Sequence, residues 1–172
     1  MKKFNFSRLF AAAVLVAGLV FVSCAPTKDA TVADSLEGTW VDASYGKSYY
    51  KITETSFENY GENPDGTSYE SYAGNTLTIV EDDKTSGRIF FKYTKSMNPD
   101  YSYSTTAPDV GKWYAVSYKA LTANSVMLCG AGKFDANWNN IGKTSCATLD
   151  EAKEEYTVAN GYFGTYSDCV KE

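Results

Sequence analysis

Asp135, Asn137 and Asn139 set three side-chain oxygens at alternate positions, the spacing with which a calcium loop begins. The sixth position is then Asn140, where such a loop turns on Gly, and the twelfth is Cys146, where it needs a bidentate Glu. The segment therefore reads as a polar hairpin tip. Gly130-Ala131-Gly132-Lys133 lacks the upstream Gly and the following Ser or Thr of a phosphate loop, and reads as a turn. The chain has no histidine. That removes Ser-His-Asp and Cys-His catalysis, the usual imidazole base, His-bearing zinc sites and a proximal-His haem. Its 21 acidic residues are scattered and identify no catalytic pair. The expectation is a chain that is not an enzyme and carries neither cofactor nor metal.

The chemistry that remains belongs to cysteine. Cys24 closes Phe21-Val22-Ser23-Cys24, after a positive head of Lys2, Lys3 and Arg8 and an apolar run from Leu9 to Val22. That is the layout of a secretory signal peptide. Its 14-residue run is short for a bilayer span. The end resembles a bacterial lipobox, in which the Cys becomes the first mature residue and carries acyl chains. Phe21 stands where Leu is usual, as in the looser motifs of spirochaetes. The resemblance implies removal of residues 1–23, palmitate-type acylation of Cys24 and a membrane as partner. Ala25 is not the Asp of an inner-membrane retention signal, so the outer membrane of the cell envelope is favoured. The alternative is an ordinary signal peptide followed by an unmodified Cys24.

Three further cysteines then face an oxidising compartment. Cys129 lies in the apolar run Val126-Met127-Leu128-Cys129 and reads as a buried strand thiol. Cys146 and Cys169 flank the C-terminal helical segment and form the expected disulfide, worth about 3.5 kcal/mol in the chain-entropy model. Two free thiols are the other reading.

Removing the signal takes the formal charge from −5 to −8. Nucleic-acid binding wants the opposite sign, because phosphate neutralisation supplies most of its affinity. DNA and RNA are not expected partners. Fourteen Tyr, nine Phe and three Trp against four Pro favour a sheet-rich fold. The chain divides into the signal (1–23), a lipidated Cys with a small-residue tether (24–35) and one domain (36–172). From Leu36 to about Phe134, eight short alternating segments recur at hairpin spacing: 38–41, 49–53, 56–60, 69–72, 77–80, 88–94, 113–121 and 125–129. Turn signals separate them, with Asn63-Pro64-Asp65-Gly66 the strongest and Gly74-Asn75 another. The class is all-β, an antiparallel meander of about eight strands whose closure removes its edges. Met97–Gly111 is a long polar connection of the kind that often carries function.

The period then changes. Leu149, Ala152, Tyr156, Ala159 and Phe163 follow helical spacing, with Asp150, Glu151, Glu154 and Glu155 on the other face. Thr148 and Glu151 form a capping-box pair, and Gly161 is a C-terminal stop. One amphipathic helix of about twelve residues should pack on the barrel's outside.

Gly38-Thr39-Trp40 at the head of the first strand, followed by a meander and a late helix, resembles the lipocalin or calycin superfamily. In that family the Gly-x-Trp tryptophan closes the barrel base, which assigns that role to Gly38 and Trp40. The family also packs an Arg near its last strand on this Trp; here Arg88 lies in a middle segment. With its N-terminus, the chain is similar to small lipocalin-like lipoproteins of bacterial envelopes, spirochaetal ones especially. Phe91, Tyr93, Tyr114 and Tyr118 then point inward and either line a ligand pocket or fill the interior. Tyr69, Tyr72, Tyr101, Tyr103 and Trp138 lie in or beside loops, where they can stack on a ligand or anchor a partner. Two functions are open: an envelope binding protein for a small apolar or amphipathic molecule, or a surface protein-interaction module with a filled barrel, such as an adhesin or an enzyme inhibitor.

Overall fold

A computed structural model describes residues 36–42, 44 and 47–172. The signal, Cys24 and the tether lie outside the described residues. Nine strands run β1 (Gly38–Asp42), β2 (Lys47–Ile52), β3 (Ser56–Glu62), β4 (Ser68–Asp83), β5 (Ser86–Met97), β6 (Tyr103–Ser104), β7 (Trp113–Lys119), β8 (Ser125–Gly130) and β9 (Ser167–Lys171). A short helix, α1 (Leu149–Glu155), precedes β9. All pairings are antiparallel, in the order β4-β3-β2-β1-β9-β8-β7-β5, and β4 also pairs β5. Eight strands thus close into a barrel compatible with a lipocalin-like fold. The two-residue β6 only extends one end of β5.

Turn chemistry sets the hairpins. Between β3 and β4, Gly66 takes φ +83° and Asp65 Oδ1 accepts from the Thr67 amide at 2.9 Å. Between β4 and β5 the Asp83 carboxylate accepts from the Thr85 amide, and between β7 and β8 the Thr122 hydroxyl accepts from the Ser125 amide at 2.9 Å. These are the local side-chain bonds by which Asp and Thr nucleate turns.

Two corrections concern the strand count. Segments 69–72 and 77–80 are one 16-residue strand, β4, and Gly74-Asn75 is not a turn. The β4–β5 register slips at Ala73/Gly74 and again between Asn75 and Thr78, and Thr76 sits at φ 60°. The Gly-Asn signal therefore marks bulges that bend a long strand around the barrel. A Cβ on Gly74 would overlap the Phe91 ring, so Gly is needed there by an interior aromatic. The strand that makes up the eight is β9, at the C-terminal end, which pairs β8 and β1 and closes the barrel.

The helix is shorter than its period predicts, seven residues instead of about twelve. Its start follows the expectation: Thr148 Oγ1 accepts from the Glu151 amide at 3.1 Å, while the Glu151 carboxylate accepts from the Ala147 amide at 2.9 Å. Its end is taken over by side chains. Asn160 Nδ2 donates to the Glu154 and Glu155 carbonyls, and Arg88 Nη1 to those of Lys153 and Tyr156. Those carbonyls would have carried the helix onward. Gly161, at φ +86°, belongs to the following turn.

Alternation divides the apolar residues into two cores. The barrel interior holds Trp40, Ile52, Phe57, Ile89, Phe91, Tyr93, Val116, Tyr118, Val126, Leu128 and Cys169. Outside the wall, α1 and the segment before β9 cover Phe90, Trp113, Ala115, Cys129 and Cys146 with Ala152, Tyr156, Tyr162 and Phe163. Both faces of β5 and β7 are therefore buried at their centres.

Candidate functional site

The barrel has a closed base and an open mouth, and the sequence elements that set each are distinct. At the base, Trp40 is fully buried and its indole donates to the Leu36 carbonyl at 2.7 Å. The ammonium of Lys171, in the closing strand, lies 5.0 Å from the Trp40 ring centroid. Lys171 thus stands where the lipocalin pattern puts its arginine. Arg88 instead ties β5 to the end of α1. Gly38, at φ +135°, leaves the space that Lys171 crosses; a Cβ there would lie 2.6 Å from Lys171 Cε.

Aromatic rings fill the barrel from its centre to its mouth. Phe57 stacks on Phe91 with centroids 4.8 Å apart, and on Tyr72 at 5.9 Å. Tyr93 stacks on Tyr114 at 4.9 Å, while Tyr72 meets both edge-on. Phe57 and Phe91 have no exposed surface, and neither have Ile89 and Val116 beside them. All four residues expected to line or fill are interior, but they divide. Phe91 and Tyr118 belong to the packed core. Tyr118, 1% exposed near the base, keeps a hydroxyl without a partner, and burial pushes its phenol up to about 12. Tyr93 and Tyr114 instead reach a cleft of about 460 Å³ at the mouth.

That cleft has the three phenols Tyr72, Tyr93 and Tyr114 as its floor. One wall is the long connection after β5, through Pro99, Tyr103, Pro108 and Asp109; the other is the segment after β8, through Phe134, Asn140 and Thr144. Burial raises all three phenols well above the ordinary value, so they stay neutral at physiological pH. Asp109 behaves oppositely. Its burial would raise the carboxyl, but hydrogen bonds from Ser145, Thr144 and Lys112 outweigh that and hold it below the usual range. Its Oδ1 accepts from Ser145 Oγ at 2.7 Å and from Lys112 Nζ at 3.2 Å.

Beside the mouth, residues 134–140 form the polar hairpin tip expected from their sequence. Phe134 and Asn140 pair, and Asp135 accepts from the amides of Asn137 and Asn139 and from the Asn139 side chain. The tip presents Phe134, 53% exposed, and Trp138, 77% exposed, with ring centroids 6.3 Å apart. Tyr69, Tyr101 and Tyr103 are exposed as expected, but Tyr72 is an interior residue of β4. Sequence reading missed Asp109, Thr144 and Phe134. No local motif singles them out, because only barrel closure brings their two segments to one rim.

The expected Cys146–Cys169 bridge is not formed. All three described cysteines are buried free thiols. Cys169 points into the barrel from β9, whereas Cys146 lies outside the wall, bridged through its backbone to Trp113. The strand that closes the barrel places the wall between them. Cys129 is buried in its strand as expected, and burial raises its thiol.

Among known proteins, the chain matches no family model, no curated protein and no solved structure. What is shown is therefore the barrel itself: eight antiparallel strands, closed, plugged at the base by Trp40 and open at a tyrosine-floored mouth.

Proposed function

We propose that this chain is a lipid-anchored protein of the bacterial cell envelope that binds a small amphipathic molecule at its barrel mouth. Cys24 is the acylated residue, and the outer membrane is the favoured address. One observation carries the binding half: the interior is packed with aromatic rings, while a cleft of about 460 Å³ opens over the phenols of Tyr72, Tyr93 and Tyr114. A ligand therefore rests on the aromatic floor instead of entering the barrel. The anchoring half rests on the signal layout of residues 1–24. Several acyl chains hold a protein stably at a membrane, whereas one holds it marginally. In this reading the domain works by binding alone, without cofactor, metal, catalysis or nucleic acid.

The exposed Phe134–Trp138 tip favours a second reading, a protein-interaction module that docks through the same rim. Native mass spectrometry of the detergent-extracted mature protein separates the two. A small molecule that co-purifies, or stoichiometric uptake of a fluorescent fatty acid, supports mouth binding. A bare chain that takes up neither a fluorescent fatty acid nor an amphipathic amine refutes it and leaves the protein partner. Labelling cells with a fatty-acid analogue tests the anchor, and undiminished label on a Cys24→Ser variant would refute it.

A further inference from the structure

We propose that the mouth cleft selects an organic monocation, an amine or quaternary ammonium group on an apolar or aromatic body. The inference rests on the mouth-binding reading above and names its ligand class. Among the described residues, Asp109 is the one charged side chain that lines this cleft. Its side chain is 17% exposed, and the chain holds it firmly: the Gly111 amide donates to the Tyr93 carbonyl at 2.8 Å and the Lys112 amide to the Asp109 carbonyl at 3.0 Å. Ser145 and Lys112 both donate to Oδ1, and Thr144, itself on the cleft lining, donates to the same carboxylate, so the group is held at the rim as an ionised acceptor. Lys112, the cation that meets Oδ1, does not line the cleft and is 46% exposed.

The rest of the floor suits a cation as well. Tyr93 is 7% exposed, and its hydroxyl and that of Tyr114 hydrogen-bond each other at the floor. Tyr72 stands at 89° to Tyr93, so the floor offers ring edges, ring faces and phenol oxygens together. Aromatic faces attract ammonium groups, and phenol oxygens accept their N–H bonds. A carboxylate ligand would meet Asp109 with no compensating cation on the lining. A neutral alcohol would bring no charge to Asp109 beyond the exposed Lys112 that already meets it. The negative charge of the domain draws the same class of ligand toward the mouth.

Calorimetry on the detergent-solubilised mature protein tests the assignment with 2-phenylethylamine, 2-phenylethanol and 3-phenylpropanoate, and a fluorescent fatty acid alongside. The amine should bind at least ten times more tightly than the alcohol, and the carboxylate more weakly still. Asp109→Asn should weaken the amine about tenfold and leave the alcohol unchanged. Because Asp109 also holds Ser145, Lys112→Ala serves as a second variant: it removes the competing cation from the carboxylate and should tighten the amine several-fold. Alcohol binding equal to amine binding, or no effect of either substitution, overturns the charge selection. Amide shifts at Tyr93 and Thr144 with the fatty acid but not the amine overturn this inference alone. No mouth shifts with any of the four compounds overturn the mouth reading as well.

Discussion

Replacing Gly130 with Ala tests the interior packing at its most accessible point. Gly130 ends β8 on the inner face, and a Cβ there would lie 2.7 Å from the Tyr114 hydroxyl. The hydroxyl must retreat by several tenths of an ångström. Its ring has little room to do so, since it stacks on Tyr93 at 4.9 Å and meets Tyr72, Phe91 and Tyr156 edge-on within 5.9 Å. Overpacking of this kind costs about 1–3 kcal/mol. At roughly 3–4 °C per kcal/mol for a domain of this size, Tm should fall by about 3–10 °C. Tyr114→Phe removes the offending atom at the loss of its hydroxyl's hydrogen bond with Tyr93. The nearest atoms to the new Cβ are then Tyr72 Oη at 3.6 Å and Tyr114 Cζ at 3.7 Å, both ordinary contacts. Gly130 does not have positive φ, so Ala is conformationally acceptable there and should even help by about 0.4–1 kcal/mol through the unfolded chain. The double variant should therefore recover most of the loss, with a coupling of about 1–2 kcal/mol in a thermal or urea denaturation cycle. If the two substitutions add within about 0.5 kcal/mol, the hydroxyl does not face Gly130 and the packed floor of the mouth is wrong.

Alkaline titration should unfold the domain cooperatively. Burial raises the phenols of Tyr72, Tyr93, Tyr114 and Tyr156 well above 10, and those of Tyr118 and Tyr162 up to about 12. A raised folded pKa gives stability that is whole below pH 10 and lost above it, by about 1.4 kcal/mol per pH unit for each buried phenol. Tyrosinate absorbance should appear together with loss of near-ultraviolet circular dichroism; gradual ionisation of a folded protein would contradict this. Thiol titration of residues 25–172 should find Cys129, Cys146 and Cys169 all reactive in denaturant and slow in buffer, with no Cys146–Cys169 peptide on non-reducing mapping. Trp40→Ala should cost about 3–5 kcal/mol, since it opens the base and leaves the Leu36 carbonyl without its donor. A loss under 1 kcal/mol would show that the base is not closed there.

Much of the barrel was legible because period-2 alternation is local. Ile89, Phe91 and Tyr93, and likewise Tyr114, Val116 and Tyr118, fall on one face by spacing alone, and that face is the interior. Gly38 and Trp40 marked the base only through their resemblance to a Gly-x-Trp element. Two elements escaped. Gly74-Asn75 has turn chemistry, yet it makes bulges, because what decides its role is the Phe91 ring on a neighbouring strand. Ser167–Lys171 is short and polar, and becomes a strand only because β1 and β8 leave a gap that it fills. The disulfide reading failed with it, since without that strand nothing puts a wall between Cys146 and Cys169. The helix was overextended because Arg88 and Asn160 end it through contacts that no helical period encodes. Of the site, the phenols were readable and Asp109 was not, for its role depends on a rim assembled from two distant connections.

The central claim is that ligand rests on the mouth and the interior stays closed. The direct measurement is heteronuclear NMR of the mature protein during titration with 2-phenylethylamine. Shifts should concentrate at Tyr93, Asn98, Tyr103, Asp109 and Thr144, which line the mouth, while the methyls of Ile89, Val116, Val126 and Leu128 in the core stay in place. Shifts centred on those four methyls, with the mouth residues unmoved, would show a ligand inside the barrel and contradict the account.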